Sequence, residues 1–349
     1  MKAIKYTGSG ILELKHVPIP KISQPTDVLV KVEFAGFCAT DLEIKEGHYF
    51  VPVGTTLGHE IAGSIEEVGS ECKLFTKGDR VILNPHGFCN SCKHCSERLP
   101  HFCLGKNVAP PIGLGSDGGI ANFVIAQERR CVSIPPDLPF ERAVLTEPVS
   151  CILHSLSRGR PINNESRVLI MGGGFIGTLA TFCISEHSPR KIVVCEICPK
   201  RIENLLALNM PNVTIVTPAE LVHEKETHIK DAAYGYDMVF DYTGADSAIQ
   251  LGFNLLATRG CLILFGIMQD SSTVKFKPTD ILYKELTITA SLSSPHQMLA
   301  AVNKVNQFCK SGLLNFNKLQ IRIFPVEEYE EAINLFKSHN YTKVIFKMN

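Results

Sequence analysis

Hydrophobic and polar residues follow two different patterns in the two parts of the chain. In the segment 28–34, valine or phenylalanine at every second position alternates with leucine, lysine and glutamate, which is the period of a half-buried strand. Glycines then recur at short intervals, at Gly54, Gly58, Gly63, Gly69 and Gly78. Short strands with many turns predict an irregular antiparallel β domain over about the first 150 residues.

After about residue 150 the pattern changes to short apolar runs that alternate with helical stretches. Strands are predicted over 167–171, 191–196, 237–241 and 261–266, and helices over 175–187 and 200–209. This alternation indicates a parallel sheet, and the predicted fold class is therefore α/β. The last part of the chain predicts two amphipathic helices, 295–311 and 326–338, on either side of a strand over 319–324.

Length and composition limit the class of protein. A chain of 349 residues favours two domains, because single hydrophobic cores stop growing at about 250–300 residues. The 35 basic and 35 acidic residues give no net charge, so neither nucleic acid nor an anionic membrane is an expected partner. The first residues lack the apolar core of a secretory signal, and no stretch approaches the roughly 18 apolar residues of a membrane-spanning helix. We therefore expect a cytoplasmic protein, whose 13 cysteines are thiols or metal ligands rather than disulfides.

Four cysteines lie close together in a loop rich in proline, asparagine, glycine and serine. Cys89, Cys92, Cys95 and Cys103 follow the pattern C-x2-C-x2-C-x7-C. Four thiolates suit the closed tetrahedral site of a structural zinc, and metal bonds would order a loop that has few apolar residues of its own. An iron–sulfur cluster and an unliganded loop are the alternatives, but no further cysteine pattern supports a redox cluster.

A second group of possible ligands is spread over the first domain. Cys38 follows the first predicted strand, His59 and Glu60 come later, and Glu147 lies much farther on. One thiolate, one imidazole and one or two carboxylates make a mixed-ligand site, and a catalytic zinc typically has three protein ligands and one open position. Taken singly, however, a strand cysteine is usually a core residue and a lone histidine usually has a structural role. Spacing alone therefore leaves both interpretations open.

A glycine fingerprint follows the first predicted strand of the second part. Gly172, Gly174 and Gly177 form G-x-G-x-x-G after an apolar strand and at the start of a helix, which is the context that dinucleotide binding requires. The glycines allow a tight turn and let the backbone approach the pyrophosphate, whose charge the helix N-terminus attracts. Ile176 lies within the same motif. We therefore predict a doubly wound dinucleotide-binding domain.

The predicted cofactor is NAD. Glu196 ends the second strand, 196 − 177 = 19 residues after the last glycine, where an acid accepts hydrogen bonds from the adenosine ribose. A carboxylate there repels the extra phosphate of NADP, although Lys200 and Arg201 follow closely and basic residues can hold that phosphate. Thr243 and Gly266, at the ends of later strands, are expected to line the cofactor cleft.

Four motifs come in the order found in a known family. They are the box Cys38-x-Thr40-Asp41, the triplet Gly58-His59-Glu60, the four-cysteine loop and the glycine fingerprint. In this order they resemble the zinc-dependent medium-chain alcohol dehydrogenases over essentially the whole chain. Within that family the chain looks most like the polyol branch, the sorbitol, xylitol and arabinitol dehydrogenases. Glu147 stands where the alcohol dehydrogenases proper carry a second cysteine ligand, and the segment 291–295 also resembles the polyol branch.

The resemblance implies a catalytic metal in the first domain. A zinc ion would be held by Cys38, His59 and a carboxylate from Glu60 or Glu147. As a Lewis acid it would lower the pKa of the substrate hydroxyl, so that hydride can pass to the nicotinamide. Which of the two glutamates binds the metal stays open.

The resemblance also implies a proton relay and a cofactor contact. Thr40 would be the first member of the relay, and Asp41 would orient His59. Many relatives carry a histidine three positions after the relay residue, where this chain has Glu43, so the relay would end on Glu43 or on bulk water. In the polyol branch an arginine at the position of Arg201 accompanies the acid in NAD enzymes, which favours NAD.

The domain organisation follows from the same resemblance. A GroES-like irregular β catalytic domain would comprise residues 1–151 and 289–349, with a Rossmann dinucleotide-binding domain over 152–288. Each chain would bind two zinc ions, one catalytic and one structural, and would form a homodimer or a homotetramer.

Three hypotheses for the function remain. The leading one is an NAD-dependent polyol dehydrogenase that oxidises a secondary hydroxyl of a small-molecule alcohol to a ketone. A threonine- or butanediol-type dehydrogenase shares the order of the motifs. The alternative of another class is a non-catalytic nucleotide-binding protein, against which the intact set of Cys38, Thr40, His59 and Glu147 argues.

Overall fold

The computed structural model describes residues 1–106, 108–228 and 234–348. Its β-strands are β1 (Lys2–Gly8), β2 (Ile11–His16), β3 (Asp27–Phe37), β4 (Glu60–Val68), β5 (Arg80–Leu83), β6 (Phe123–Gln127), β7 (Cys131–Ser133), β8 (Arg167–Met171), β9 (Lys191–Cys195), β10 (Val213–Val216), β11 (Tyr236–Asp241), β12 (Leu256–Leu264), β13 (Thr287–Ala290), β14 (Ile321–Pro325) and β15 (Lys343–Lys347). Its α-helices are α1 (Ala39–Glu46), α2 (Lys93–Ser96), α3 (Phe140–Ala143), α4 (Thr146–Arg158), α5 (Phe175–Ser185), α6 (Pro199–Ala207), α7 (Pro218–Thr227), α8 (Asp246–Asn254), α9 (Pro278–Lys284), α10 (Met298–Lys310) and α11 (Tyr329–Lys337). Short 3-10 turns lie at Pro100–Phe102, Glu128–Arg130 and Val326–Glu328.

The chain divides into two compact units. The first comprises residues 1–150 and the segment from Ser294 onward, and the second comprises Cys151–Ser293. The boundaries predicted from the sequence fall after residues 151 and 288, so the first differs by one residue and the second by 293 − 288 = 5 residues.

The first unit is built on a seven-stranded sheet. Its strands run in the order β14-β15-β3-β4-β5-β7, and β6 pairs with β3 beside this path. Within the described ranges the neighbouring strands are antiparallel, except that β14 and β15 are parallel. A separate hairpin of β1 and β2 is also antiparallel. The largely antiparallel β domain predicted for this part of the chain is therefore confirmed.

The strand β3 is central in that sheet and is more deeply buried than its alternating sequence predicts. Val28, Leu29 and Val30 are at most 5% exposed, although successive side chains point to opposite faces. This half of β3 pairs with β4 on one side and with β6 on the other. The prediction of a half-buried strand is therefore wrong for the first half of β3, because the folded unit covers both of its faces.

Three strands of this sheet meet where β3 ends. Gly36 of β3 lies opposite Glu60, the first residue of β4, and on its other side opposite Ile345 of β15. The helix α1 begins at Ala39, so Cys38 stands at the junction between the sheet and the helix. The fold thereby brings residues from three distant parts of the sequence to one place.

The second unit is a six-stranded parallel sheet in the order β10-β9-β8-β11-β12-β13. Numbered within this unit, the strands follow the order 3-2-1-4-5-6, which is that of a doubly wound dinucleotide-binding fold. The order reverses between β8 and β11, and in such sheets ligands bind outside the carboxyl ends of the strands at this switch point. The prediction of an α/β Rossmann sheet is confirmed.

Element boundaries differ from the prediction where one element contains both apolar and polar residues. The strand β12 begins at Leu256, 261 − 256 = 5 residues before its predicted start, because the exposed Thr258 and Arg259 give no apolar signal. The helix predicted over 326–338 begins as a 3-10 turn and becomes α-helical at Tyr329.

Within the three described ranges, no helix is long and apolar enough to cross a membrane.

Candidate catalytic and cofactor sites

Cys38, His59 and Glu60 lie together at the end of β3. One possible ligand atom from each lies within 4.8 Å of the other two. His59 directly precedes β4, and Gly58 before it has a φ of +93°, a left-handed conformation that favours glycine. A Cβ at Gly58 would also lie 2.9 Å from the backbone nitrogen of Ile120. The turn that brings His59 to the thiol therefore requires a glycine.

The buried carboxylate of Asp41 ties the two segments of this group together. Its Oδ2 accepts a hydrogen bond from the backbone N–H of Cys38 at 2.9 Å, and its Oδ1 accepts one from the N–H of Gly58 at 3.2 Å. The same Oδ1 lies 3.9 Å from His59 Nδ1. Burial raises the pKa of Asp41, and the nearby His59 opposes this rise. The position of Asp41 beside the imidazole therefore fits the predicted role of orienting His59.

The surroundings of His59 are negatively charged. Burial alone would lower the pKa of His59, but Cys38, Asp41 and Glu147 together raise it well above its usual value. His59 Nδ1 and Glu60 Oε2 are buried, and neither has a hydrogen-bond partner among the described residues. Buried polar atoms without partners cost free energy unless water or an ion satisfies them. A thiolate, an imidazole and a carboxylate are ligands that zinc prefers, so this group fits that metal.

A lysine from β15 contacts Glu60. Lys343 Nζ lies 2.5 Å from Glu60 Oε1, and both side chains are at most 3% exposed. Burial alone would lower the pKa of Lys343, but the charges of Glu60 and Cys38 raise it above its usual value. No sequence pattern identifies Lys343 as a site residue, because a lysine at the start of a short apolar strand is usually exposed to solvent.

Two further predicted residues lie beside this group. Glu147, in the first turn of α4, is buried and contributes to the raised pKa of His59. It is nevertheless not one of the three residues whose ligand atoms lie within 4.8 Å of one another. The Thr40 hydroxyl lies 3.6 Å from Cys38 Sγ. Of the two candidate carboxylates, Glu60 is the one whose ligand atom lies within 4.8 Å of both the thiol and the imidazole in one group.

Glu43, the predicted end of the proton relay, contacts a histidine. Glu43 Oε2 lies 2.9 Å from His48 Nδ1, and both side chains are accessible to solvent. Imidazole and carboxylate groups can both accept and donate protons. The pair could therefore pass a proton to water.

A second histidine near the group is not part of any sequence motif. His86 follows β5, and burial lowers its pKa to about 4, with the positive charges of Arg130 and His59 adding to the fall. His86 is therefore a neutral imidazole at physiological pH, within electrostatic reach of His59. No spacing rule could have identified it.

The four cysteines between residues 89 and 103 form a second group of ligand atoms. Their Sγ atoms lie within 4.8 Å of one another, with 3.9 Å between Cys89 and Cys95 and 3.8 Å between Cys92 and Cys103. All four thiols are free. The spacing motif thus brings its four members together, as a tetrahedral site requires.

Backbone N–H groups point at two of these thiols. Cys89 Sγ accepts hydrogen bonds from the N–H groups of Ser91 and Cys92, at 3.4 and 3.2 Å. Cys103 Sγ accepts hydrogen bonds from the N–H groups of Cys89 and Gly105, at 3.3 and 3.4 Å. The side chain and backbone of Ser91, followed by the amide of Cys92, lower the pKa of Cys89 to about 5. Thiolates that amide donors stabilise fit a bound zinc ion.

The fingerprint glycines form the turn between β8 and α5. Gly172 has a φ of +96°, and a Cβ at Gly177 would lie 1.9 Å from the carbonyl oxygen of Gly172. Gly174 is the N-cap of α5, and a Cβ there would meet no atom nearer than 3.8 Å. Ile176 lies in the first turn of α5 and is half-buried. The turn itself requires two of the glycines, and the open side of Gly174 fits the close approach of a pyrophosphate.

Three backbone N–H groups hold Glu196, which follows β9. Its Oε2 accepts a hydrogen bond from Gly173 at 2.8 Å, and its Oε1 accepts hydrogen bonds from Ile197 and Cys198 at 2.8 and 2.9 Å. The side chain is 3% exposed, and Arg201 Nη1 lies 3.8 Å from Oε2. The acid is therefore fixed against the fingerprint turn, with the arginine beside it.

A buried aspartate shapes the other side of the switch point. The carboxylate of Asp241, at the end of β11, accepts hydrogen bonds from the N–H and hydroxyl of Thr243 at 3.1 and 2.6 Å, and from the N–H of Gly244 at 3.0 Å. The N–H of Gly266 donates to the backbone carbonyl of Asp241 at 3.0 Å. Thr243 and Gly266 thus follow the carboxyl ends of β11 and β12. Asp241 orders this edge, a role that its place in an apolar strand did not indicate.

The chain resembles proteins of known family over most of its length. Residues 24–136 match the alcohol dehydrogenase GroES-like domain, and residues 176–307 match the zinc-binding dehydrogenase family. D-arabinitol dehydrogenase 1 of Uromyces fabae is 26% identical over 350 residues, which cover 100% of this chain and 97% of the relative. L-threonine 3-dehydrogenase of Pyrococcus horikoshii is 28% identical over 354 residues, which cover 100% of this chain and 99% of the relative.

A solved structure has the same fold. A zinc-binding dehydrogenase from Sinorhizobium meliloti 1021, crystallised with NADP bound, is 25% identical and matches with a TM-score of 0.85. The match covers 99% of this chain and 98% of that chain. The fold likeness to this zinc-binding dehydrogenase therefore covers residues of both units.

Proposed function

The chain belongs to the zinc-dependent medium-chain alcohol dehydrogenases, and we propose that it passes hydride from a secondary hydroxyl of a sugar alcohol to NAD+, which gives the ketone. The observation that carries this proposal is the buried group of Cys38, His59 and Glu60, whose ligand atoms lie within 4.8 Å of one another. The similarity to a D-arabinitol dehydrogenase over the whole chain supports a sugar alcohol as the substrate.

The residues of this group would hold the metal and the substrate in place. Zinc bound by Cys38, His59 and the carboxylate of Glu60 or Glu147 would supply a Lewis acid that lowers the pKa of the substrate hydroxyl, and NAD+ would accept the hydride. Asp41 fixes the backbone of Cys38 through its hydrogen bond and lies beside His59, so it limits the orientation of both.

Thr40 is the proposed acceptor of the hydroxyl proton. Its hydroxyl lies 3.6 Å from Cys38 Sγ, at the edge of the group. From Thr40 the proton would reach solvent, with Glu43 of α1 and His48 just after that helix as the outer acceptor. This route uses a carboxylate where many relatives have a histidine.

We propose a second, structural zinc for the four-cysteine loop, which makes two zinc ions per chain. The hydrogen bonds from backbone N–H groups to Cys89 and Cys103 support thiolates at these positions. The loop takes no part in the proposed reaction, so its metal would serve stability.

NAD rather than NADP is the proposed cofactor of the second unit. The carboxylate of Glu196 is a fixed negative charge where the extra phosphate of NADP would lie. Arg201 lies 3.8 Å from that carboxylate, which already compensates part of its charge. The neighbour from S. meliloti binds NADP, so the choice needs a direct test. Further proposed cofactor contacts are with Gly172, Gly174, Ile176, Gly177, Thr243 and Gly266.

A threonine-type dehydrogenase is the second candidate, because the L-threonine 3-dehydrogenase of P. horikoshii is 28% identical over this whole chain. An amino-acid substrate brings a carboxylate, which needs a cation in a buried site. Lys343 is already paired with Glu60, and His86 has a pKa of about 4 and is neutral. These two groups fit an uncharged polyol better than they fit a zwitterion.

We further propose a homodimer or homotetramer in the cytoplasm. The 13 free cysteines fit a reducing compartment, and the resemblance to the family supports an oligomer. Light scattering on the protein as it elutes from a size-exclusion column measures its mass. A value near 38.5 kDa, the mass of one chain, would contradict the proposed oligomer.

The test of the function is the initial rate of NADH or NADPH formation by zinc-replete protein. The substrates are sorbitol, xylitol, arabinitol, galactitol, L-threonine, butanediol and simple alcohols, each with NAD+ and with NADP+. A preference for a polyol with NAD+ supports the proposal, while turnover of L-threonine or butanediol would keep the reaction and replace the substrate class. No turnover, with about one zinc per chain, would indicate a nucleotide-binding protein without catalysis.

A further inference from the structure

Glu60 reaches across one strand of the sheet to its lysine partner. The strand β3 lies between β15 and β4, and its Gly36 pairs with Glu60 on one side and with Ile345 on the other. Lys343 lies two residues before Ile345, on β15. The contact of 2.5 Å between Glu60 and Lys343 therefore joins two strands that are not neighbours.

Gly36 provides the space for this contact. A Cβ at Gly36 would lie 1.9 Å from Glu60 Oε2 and 2.9 Å from Glu60 Cδ. Gly36 is within β3 and has no positive φ, so the backbone there does not itself require glycine. The carboxylate of Glu60 thus lies over the backbone of β3, close to the point where Cys38 follows.

The two oxygens of Glu60 have different surroundings. Oε1 accepts a hydrogen bond from Lys343 Nζ, whereas Oε2 is buried and has no hydrogen-bond partner in the described part of the chain. A carboxylate oxygen of Glu60 also lies within 4.8 Å of the ligand atoms of Cys38 and His59. The carboxylate is therefore shared between a cation of the protein and the proposed metal position. A carboxylate that is paired with an ammonium group attracts a second cation less strongly than an unpaired one.

From this arrangement we infer that Lys343 is a positioning residue, which holds Glu60 by one oxygen and keeps it from becoming a permanent zinc ligand. The inference rests on the proposed function, because it requires a metal at Cys38 and His59 with Glu147, rather than Glu60, as the carboxylate that stays bound. A catalytic zinc needs one coordination position for the substrate. While Lys343 holds Glu60, that position stays available. Without the ammonium group, the buried carboxylate would have the metal as its nearest cation and would occupy the position.

The test is the variant Lys343→Met, which removes the charge and keeps an unbranched side chain of similar length. We expect zinc release from the Cys38 group to a chelator to be about tenfold slower than in the wild-type protein, and kcat to be about tenfold lower. Slower zinc release would show that Lys343 holds Glu60 away from the metal. If Lys343 only stabilised the site, its loss would loosen the site and zinc would be released faster. Unchanged or faster release would overturn the inference.

Cobalt provides a second readout that does not depend on turnover. In protein with cobalt at the Cys38 group, an added carboxylate ligand changes the visible absorption of the metal. We expect the spectrum of Lys343→Met to differ from that of the wild-type protein. Identical spectra would show that Lys343 does not affect the ligands and would overturn the inference.

Two controls separate the role of Lys343 from its effect on the sheet. Lys347→Met removes a lysine from the exposed end of the same strand and should leave zinc release and the cobalt spectrum unchanged. In the double variant Glu60→Gln/Lys343→Met, no carboxylate is left to capture the metal, so zinc release should match that of Glu60→Gln alone. If the double variant instead releases zinc as slowly as Lys343→Met, then Lys343 does not act through Glu60.

The same experiments distinguish a failure of the inference from a failure of the proposed function. If the wild-type protein binds no cobalt at Cys38, as judged by comparison with Cys38→Ala, then the proposed catalytic metal is wrong. If the wild-type protein binds cobalt there and Lys343→Met behaves as wild type, then only the inference is wrong.

Discussion

The two groups of candidate metal ligands in the first unit are built in opposite ways. The cysteine group takes all its ligand atoms from the segment 89–103, at partly exposed positions. The other group takes Cys38 from the end of β3 and His59 and Glu60 from the start of β4, with Lys343 from β15 beside them. One group is complete within a short loop, and the other exists only when the sheet has formed.

This difference determines what orders each group. The loop has few apolar residues of its own, so binding of the proposed structural zinc would also provide folding free energy. The other group is held by the sheet and by Asp41, whose carboxylate accepts hydrogen bonds from the backbones of Cys38 and Gly58. We therefore expect loss of the loop metal to lower stability, and loss of the other metal to abolish activity while leaving the fold intact.

The largest effect is expected from Cys38→Ala. Removal of one ligand from the buried group should lower kcat/KM by a factor of about 10⁴ or more, as for residues that act as a catalytic unit. The zinc content should fall from about two to about one per chain, with little change in melting temperature. Initial rates and atomic absorption measure both quantities. The matched control is Cys72→Ala, because Cys72 belongs to neither group of candidate ligands. Its thiol donates a hydrogen bond to the backbone carbonyl of Asp27 at 3.3 Å. Retained activity in Cys38→Ala would contradict the proposal that this group holds the catalytic metal.

The next largest effect is expected from Thr40→Val, which removes the proposed proton acceptor and keeps the shape of the side chain. The kcat should fall by a factor of about 10² to 10³, because general acid–base contributions are of that size. Zinc content and melting temperature should stay as in the wild-type protein. Thr40→Ser keeps the hydroxyl and should keep most of the activity. Equal losses in Thr40→Val and Thr40→Ser would show that the hydroxyl is not the relevant feature.

A smaller effect, on stability rather than rate, is expected from Cys103→Ala. The loop should lose its zinc, and the apparent melting temperature should fall by roughly 5–10 °C, as for a loss of about 2–3 kcal/mol in a domain of this size. At a temperature where the variant is folded, kcat should stay within about twofold of wild type, since the loop has no part in the proposed reaction. Calorimetry and rates on the same sample check this. A large loss of kcat without a loss of stability would reverse the roles of the two groups.

The smallest effect concerns His86 and pH. Its pKa is about 4 in the folded protein, below the value of about 6.5 in an unfolded chain, so the unfolded state binds more protons between these pH values. Stability is therefore lost as pH falls from about 6.5 towards 4, by roughly 1–2 kcal/mol for a site with some access to water. His86→Asn should lose less stability over this range in denaturant titrations. His16→Asn, at an exposed strand end, is the matched control for the loss of an imidazole.

The sequence predicted those features that depend on residues close together in the chain. The strand β8 lies at Arg167–Met171, the predicted residues, because it is apolar throughout and is buried within its sheet. The turn at Gly172 and the four-cysteine group likewise depend on residues that are close in sequence. The start of β12 was not predictable, because the polar, exposed Thr258 and Arg259 near its start interrupt the apolar pattern although they belong to the strand.

Contacts between distant strands were not predictable. Lys343 pairs with Glu60 across 343 − 60 = 283 positions of sequence, and no spacing rule reaches that far. Burial of His86 and the three hydrogen bonds to the Asp241 carboxylate depend in the same way on neighbours that only the fold supplies. The motifs therefore indicated that Cys38, His59 and Glu60 come together, but not which charges surround them.

The distance along the chain between Cys38 and Lys343 also affects the order of events during synthesis. They are 343 − 38 = 305 residues apart, and a ribosome that adds about 5–20 residues per second needs roughly 15–60 s to make that stretch. All residues of the four-cysteine loop emerge early in this interval, so the loop can capture a metal ion while the chain is still growing. The Cys38 group gains the counter-ion of Glu60 only after the whole second unit has been made. Until then the Glu60 carboxylate has no lysine partner, so a metal ion that binds near Cys38 during synthesis does so before Lys343 can pair with Glu60.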